Sequence, residues 1–261
     1  MDKMRGMVAI VTGSSRGLGR AIALEYGREG ATVVACARPA SPTQLPGTVA
    51  ETAQAIQDQG GESLAIACDV SDEVQVKSMV QQVVDRYGKV DVLVNNAGIM
   101  ILGESFLDIE PGRWDQLMNV NLRGAYLTCR YVLPVMMSQR RGSIVNIGSF
   151  AASDPRINGT AYCTSKAALH MFSQCLAQDM REYNIAVNIL DPGSMKSEGS
   201  SVIPWAQHDW DQRVEPEVVG PSAVYLALRD AQSLTGQMVL RREFGQTWGD
   251  SRVTNAYDSS L

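Results

Sequence analysis

Apolar residues along the chain alternate between two patterns. Unbroken apolar runs from Met7 to Thr12, Thr32 to Ala37, Ser63 to Cys68 and Asp91 to Asn95 read as strands covered on both faces. Similar runs from Ser143 to Gly148, Ile185 to Leu190 and Gln237 to Leu240 continue the series. Between them the apolar positions recur at helical spacing. Helices are predicted from Leu18 to Tyr26 (ended by Gly30), Thr48 to Gln59 (closed by Gly60 and Gly61), and Asp72 to Tyr87 with Ser71 as N-cap. Arg113 to Ser138 reads as one long helix that Pro134 should kink or loosen in its last turn. Thr160 to Glu182 and Glu217 to Leu228 complete the set. A loop rich in Pro and Ser spans Pro39 to Gly47, and a long irregular stretch runs from Pro192 to Arg213.

Strands alternating with helices predict an α/β fold: a single doubly wound Rossmann-type domain over residues 1–249, with a mostly parallel seven-stranded sheet and helices on both faces. No linker or internal repeat divides it. Residues 194–215 are expected to form a lid, and 250–261 a polar tail that is disordered or crosses to a neighbouring subunit. Sheets of this kind bind ligands at the carboxyl ends of their strands. The loops after Thr12, Ala37, Asn95, Gly148 and Leu190 are therefore the ones to search.

Composition narrows the function. The chain has 261 residues, 45% of them hydrophobic and 20% charged, an ordinary globular balance. Its formal net charge of −5 disfavours a general nucleic-acid binder. The five cysteines contain no CxxC pair, so neither a disulfide framework nor a metal site is expected, and a reducing compartment is the simpler reading. Met1 to Met7 has no apolar leader, and no apolar stretch is long enough to span a membrane. The expectation is a cytoplasmic protein without a membrane or nucleic-acid partner.

Two segments carry chemistry. After the first strand comes Thr12-Gly13-Ser14-Ser15-Arg16-Gly17-Leu18-Gly19, then a helix. Glycines there allow a sharp turn and close approach to a pyrophosphate, and the helix N-terminus supplies unpaired N–H groups. The second strand ends Ala35-Cys36-Ala37-Arg38, without the acid that would bind the ribose hydroxyls of NAD. Arg38 is suited to a 2′-phosphate, with Arg16 in the adjacent turn, so NADP(H) is favoured over NAD(H). The alternative is that Arg38 is a solvated strand-end residue. The second segment holds Tyr162 and Lys166, four residues apart on one helix face. A tyrosine titrates near pH ~10, and a neighbouring ammonium should lower that value and make it a useful acid or base. Alone, such a pair is nearly uninformative, since a solvated helix face gives it often.

Taken together the motifs resemble the short-chain dehydrogenase/reductase family from Val8 to Trp248. They run in order: Thr12 to Gly19, Cys68-Asp69-Val70, Asn95-Asn96-Ala97-Gly98, Asn119-Val120-Asn121, Gly148-Ser149, Tyr162-Cys-Thr-Ser-Lys166 and Asp191-Pro192-Gly193. The resemblance implies hydride transfer between a nicotinamide cofactor and a small carbonyl or alcohol. It implies Tyr162 as proton donor or acceptor and Ser149 as hydrogen-bond donor to the substrate oxygen. Lys166 would bind the nicotinamide ribose and tune Tyr162, and Asn121 would hold a water in a proton relay. Gly13, Ser15, Arg16, Gly17, Leu18 and Gly19 would take the pyrophosphate, and Asp69 and Val70 the adenine. Asn96, Ala97 and Gly98 would line the ribose and steady the central strands. Pro192, Gly193, Met195 and Ser197 would support the nicotinamide, Ser197 standing where the family often has Thr. The family's C-terminal Val-Asp-Gly-Gly turn is replaced by Leu240-Arg241-Arg242-Glu243-Phe244-Gly245. A homo-oligomer, tetramer or dimer, is expected from the resemblance, less securely because of that replacement.

Substrate contacts are expected from Met100, Phe150, Ala151 and Ile157, and from Trp205 in the lid. Apolar lid residues fit either a hydrophobic substrate or packing of the lid onto the body. Arg156 suits either a substrate carboxylate or a surface ion pair. Besides the NADP(H) enzyme, an NAD-dependent alcohol dehydrogenase and a non-catalytic cofactor sensor remain as alternatives.

Overall fold

The computed structural model describes residues 2–39 and 45–249, with the side chains of Pro204 and Trp205 left aside. The polar tail and most of the 39–47 loop lie outside the described residues. In chain order the elements are β1 (Val8–Thr12), α1 (Gly17–Arg28), β2 (Thr32–Ala37), α2 (Val49–Asp58), β3 (Glu62–Ala67) and α3 (Glu73–Tyr87). Then come β4 (Val92–Asn95), α4 (Pro111–Met118), α5 (Gly124–Gln139), β5 (Gly142–Ile147) and α6 (Thr160–Asp179). The chain ends with β6 (Ile185–Asp191), α7 (Glu198–Ser201), α8 (Gly220–Ala227) and β7 (Met238–Leu240).

The strands form one sheet of seven in the order β3-β2-β1-β4-β5-β6-β7, every pairing parallel. Strand order reverses between β1 and β4, which opens a crevice at their carboxyl ends. Burial on both faces accounts for the apolar runs of the sequence. Ala9 and Val11 point into a core with Ile22 and Tyr26 of α1 and Val224 and Ala227 of α8. Val8 and Ile10 point the other way, into a core with Val76, Met79 and Val83 of α3 and Leu127, Val132 and Met136 of α5.

Several element ends differ from the sequence expectation. Asp72, not Ser71, caps α3, its carboxylate accepting from the backbone N–H of Val74 and Gln75. Ser71 instead donates through both backbone and hydroxyl to Asp69. The long helix begins at Pro111, whose missing N–H costs nothing at a first turn. It carries a π-helical turn at Asn119–Arg123 and runs past Pro134 to Gln139. The last helix starts at Gly220, after a 3-10 turn at Pro216–Val219. The stretch expected to be irregular holds α7 and short 3-10 turns, tied at its ends by a bridge between Met195 and Val214.

A buried polar chain fixes the ends of the central strands. Thr128 of α5 donates to Asn95 Oδ1 at 2.6 Å, Asn95 donates to Asn146 at 2.8 Å, and Asn146 donates to Ser173 of α6 at 2.7 Å. Fully partnered amides in a core are rigid and specific. They set β4 and β5 in register directly beneath the crevice. Among the described residues, no helix is long and apolar enough to cross a membrane.

Candidate active site

A cavity of about 940 Å³ opens along the carboxyl ends of the strands. Its volume lies within the range of sites that hold a cofactor and a small substrate.

At one end lies the glycine turn. Gly13 and Gly17 have φ of +65° and +52°, which side chains with a Cβ rarely adopt. Gly19 is needed for a different reason: a Cβ there would lie 2.3 Å from both the Gly13 carbonyl and Asn96 Nδ2. Asn96 holds the turn from below, donating to the carbonyls of Thr12 at 2.9 Å and Gly13 at 3.0 Å. The Thr12 hydroxyl accepts from the backbone N–H of Asn96 and Ala97. The N-terminus of α1 has no side-chain cap and no acid in its first turn, and Gly17, Leu18 and Gly19 line the cavity, so no side chain competes with an anion for its first N–H groups. This fits a pyrophosphate.

Arg16 and Arg38 part company here. Arg16 donates from Nε to the Pro46 carbonyl at 2.9 Å and from Nη2 to the Gly47 carbonyl at 3.1 Å. It clamps the end of the 39–47 loop onto the turn. Arg38 is exposed at the end of β2 and lines the same cavity. Asp69, Val70, Ala97 and Gly98 complete this wall.

The other end holds the titratable groups. Ser149 follows β5, and its hydroxyl accepts from the Ala151 N–H at 3.2 Å. Tyr162 and Lys166 project from the first turns of α6 into the cavity. Lys166 is buried, and its ammonium donates to the Ile147 carbonyl at 2.8 Å. Burial pulls Lys166 down to about 8, with Asp191 opposing. Burial also pushes Tyr162 up to about 12, Ser149 pulling it down and Asp191 adding to the rise. This reverses the sequence expectation for Tyr162. The Lys166 ammonium sits 5.8 Å from the phenol ring centroid, and desolvation of a phenolate is the largest influence on the phenol.

Asn121 does not reach the cavity surface. It lies in the π turn, 2% exposed, where it accepts from Ile99 N–H at 2.8 Å and donates to the Ile99 carbonyl at 2.9 Å and Ser165 at 3.0 Å. A π turn of this kind often marks a functional site. Here it turns Asn121 inward to hold the strand 4 loop against α6. Pro192, Gly193, Met195 and Ser197 line the cavity. The Ser197 hydroxyl is already engaged, capping α7 through Ser200 N–H at 3.2 Å. Of the expected substrate residues, Met100, Phe150 and Ala151 line the cavity. Ile157 is 94% exposed and outside it, and the Trp205 side chain lies outside the described residues.

Sequence reasoning missed His170. Its Nε2 accepts from the Ser149 N–H at 3.4 Å, which requires a neutral ring. Burial pulls His170 down to about 4, the nearby Lys166 charge adding to it and Asp191 opposing. Gly148 permits the contact, since a Cβ there would lie 2.6 Å from that nitrogen. No spacing rule links His170 to Ser149; only the packing of α6 on β5 does. The arginines Arg213, Arg241 and Arg242 also line the cavity and were not expected there.

Comparison with known proteins follows the same outline. The family model for short chain dehydrogenases matches residues 7–205. The chain is 33% identical over 241 residues to hydroxysteroid dehydrogenase-like protein 2 of Danio rerio, covering 91% of this chain but 57% of that longer protein. It is 32% identical over 244 residues to the 3-oxoacyl-acyl-carrier-protein reductase FabG of Thermotoga maritima, covering 91% of this chain and 96% of the reductase. Among solved structures, a metagenomic short-chain oxidoreductase in complex with NADP superposes with a TM-score of 0.76 at 33% identity, covering 91% and 96% of the two chains.

Proposed function

The chain belongs to the short-chain dehydrogenase/reductase family, and from that premise we propose that it transfers a hydride between NADP(H) and a carbonyl or secondary alcohol. One observation carries the reading. Ser149, Tyr162 and Lys166 gather at one end of a cavity whose other end is an uncapped helix N-terminus beside Arg38.

A bound nicotinamide dinucleotide supplies the hydride for reduction or accepts it in oxidation. The protein's own groups manage the proton. With its phenol pushed up to about 12, Tyr162 is protonated at neutral pH and gives its proton to the carbonyl oxygen as the alcohol forms. In the opposite direction the phenolate takes the alcohol's proton. Ser149 orients that oxygen by hydrogen bonding, and Lys166 supplies positive charge beside the phenol. Asn121 holds the Ile99 backbone and Ser165 in place, and in this reading it also holds the water of the proton relay from Lys166.

The preference for NADP(H) rests on Arg38 and on the missing acid after β2. The NADP in the similar metagenomic enzyme supports it. Met100, Phe150 and Ala151 give the substrate an apolar wall, and residues 194–215 serve as the lid.

Replacing Tyr162 with Phe tests the mechanism. Turnover of a ketone panel with NADPH should fall by about 10²–10⁴-fold, the usual worth of a positioned acid, while NADPH fluorescence still reports binding. Turnover at the parent rate would overturn the role given to Tyr162.

A further inference from the structure

Charge is spread unevenly over the cavity. On the β1–β3 side Arg16, Arg38 and Asp69 line the wall. On the β5–β7 side, around the reacting groups, Arg156, Arg213, Arg241 and Arg242 line the wall along with Asp191 and Asp209. A chain of net charge −5 thus concentrates cations where the substrate goes. The proposed cofactor does not account for them. Its phosphates belong at the α1 N-terminus and Arg38, and its carboxamide carries no negative charge.

Arg156 is the best placed of these. It lies on the segment joining Ser149 to Tyr162, and its charge is felt at the Tyr162 phenol. Its Nε donates to Asp154 Oδ2 at 3.2 Å, with the two side chains 46% and 44% exposed. An ion pair so exposed is weak and screened by salt, so a stronger partner displaces Asp154 at little loss. The guanidinium also presents a planar fork of further N–H donors matched to a carboxylate. Arg213 lines the cavity from the lid, itself buried and bonded to Asp209 at 2.8 Å.

We propose that the substrate carries a carboxylate or similar small anion near its reacting carbonyl, held by Arg156, with an apolar remainder against Met100, Phe150 and Ala151. The proposal deepens the hydride-transfer reading of the same site and rests on it. Hydroxy acids and oxo acids with a hydrophobic body are the class it selects. Arg156 is a specificity residue in this scheme, apart from the proton chemistry.

Calorimetric titration tests it, using 4-phenylbutanoate and its uncharged amide as probes, on the protein alone and on the protein saturated with NADPH. The carboxylate is expected to bind at least tenfold more tightly than the amide. Arg156→Gln should erase that difference, and Asp154→Asn, which releases Arg156, should preserve or widen it. Equal affinities in the parent, binding of neither probe, or a preference that survives Arg156→Gln would each overturn the proposal. Turnover of neutral 4-phenyl-2-butanone by the same preparation checks the underlying reading separately. Turnover of that ketone without a carboxylate preference sinks the anion site alone; failure to bind NADPH sinks the hydride-transfer reading.

Discussion

At the scale of single residues, burial decides the protonation states that matter. Tyr162 and Lys166 are shifted in opposite directions by the same desolvation, because one is charged when it loses a proton and the other when it keeps one. His170 extends the pattern. Its folded value of about 4 lies below its ordinary value, so between those two the unfolded chain binds more protons than the folded one. The stability that the neutral ring contributes is present above pH ~6.5 and lost as pH falls toward its folded value. Urea midpoints measured across that window should therefore fall with acid, and less steeply in His170→Leu. Identical slopes for the two proteins would show that His170 does not titrate in that window. Arg38 poses a question of selectivity. A guanidinium bonded to a phosphate contributes roughly 1.5–3 kcal/mol, so Arg38→Ala should weaken NADPH by about 10–150-fold relative to NADH. Fluorescence titration with each nucleotide measures the ratio; an equal loss for both would remove Arg38 as the phosphate ligand.

Elements position these residues, and the strand–turn–helix at the start of the chain is the most constrained of them. Gly19 leaves no space for a methyl group between the Gly13 carbonyl and Asn96. Gly19→Ala must push the turn away from the β4 loop, and overpacking of this kind costs about 1–3 kcal/mol. Thermal unfolding should show a lower midpoint, and NADPH affinity should fall with it because the donors of α1 move. An unchanged midpoint and affinity would mean that the turn relaxes freely. This element was legible in the sequence, since three glycines closely spaced between a buried apolar run and a helical repeat mark a tight strand-to-helix turn. The strand count was legible because runs such as Val92–Asn95 and Ile185–Asp191 are buried on both faces. The cap of α3 was not, because Ser71 and Asp72 are both good caps and the choice depends on Asp69 binding Ser71. Nor was the π turn at Asn119–Arg123, which leaves no mark in the apolar pattern. His170 was hidden for a third reason. Its contact with Ser149 depends on how closely α6 lies against β5, and that distance is set by Gly148.

For the whole molecule, the sheet order gives the site its two halves. The chain crosses from β3 back to β4 beside β1, so the turn that would hold phosphate and the loop carrying Asn96 meet at the reversal. Ser149, Tyr162 and Lys166 come from β5 and α6 on the far side. A dinucleotide lying along the cavity would touch both halves, and so would bind the folded chain and not the unfolded one. Binding of that kind raises unfolding free energy by about 2.7 kcal/mol at a ligand concentration one hundred times Kd. For a chain of this size each kcal/mol moves the midpoint by roughly 2–4 °C, giving a shift of about 5–10 °C. NADPH should produce it, and NADH at the same concentration should produce less if Arg38 receives the 2′-phosphate. The comparison is sharpened by Tyr162→Phe, which should keep most of the NADPH shift while losing turnover, because it removes only the phenol hydroxyl and leaves the ring, Lys166 and the α1 turn in place. A shift that vanished in that variant would mean that Tyr162 holds the two halves together, and that the loss of turnover reports a broken site rather than a missing acid.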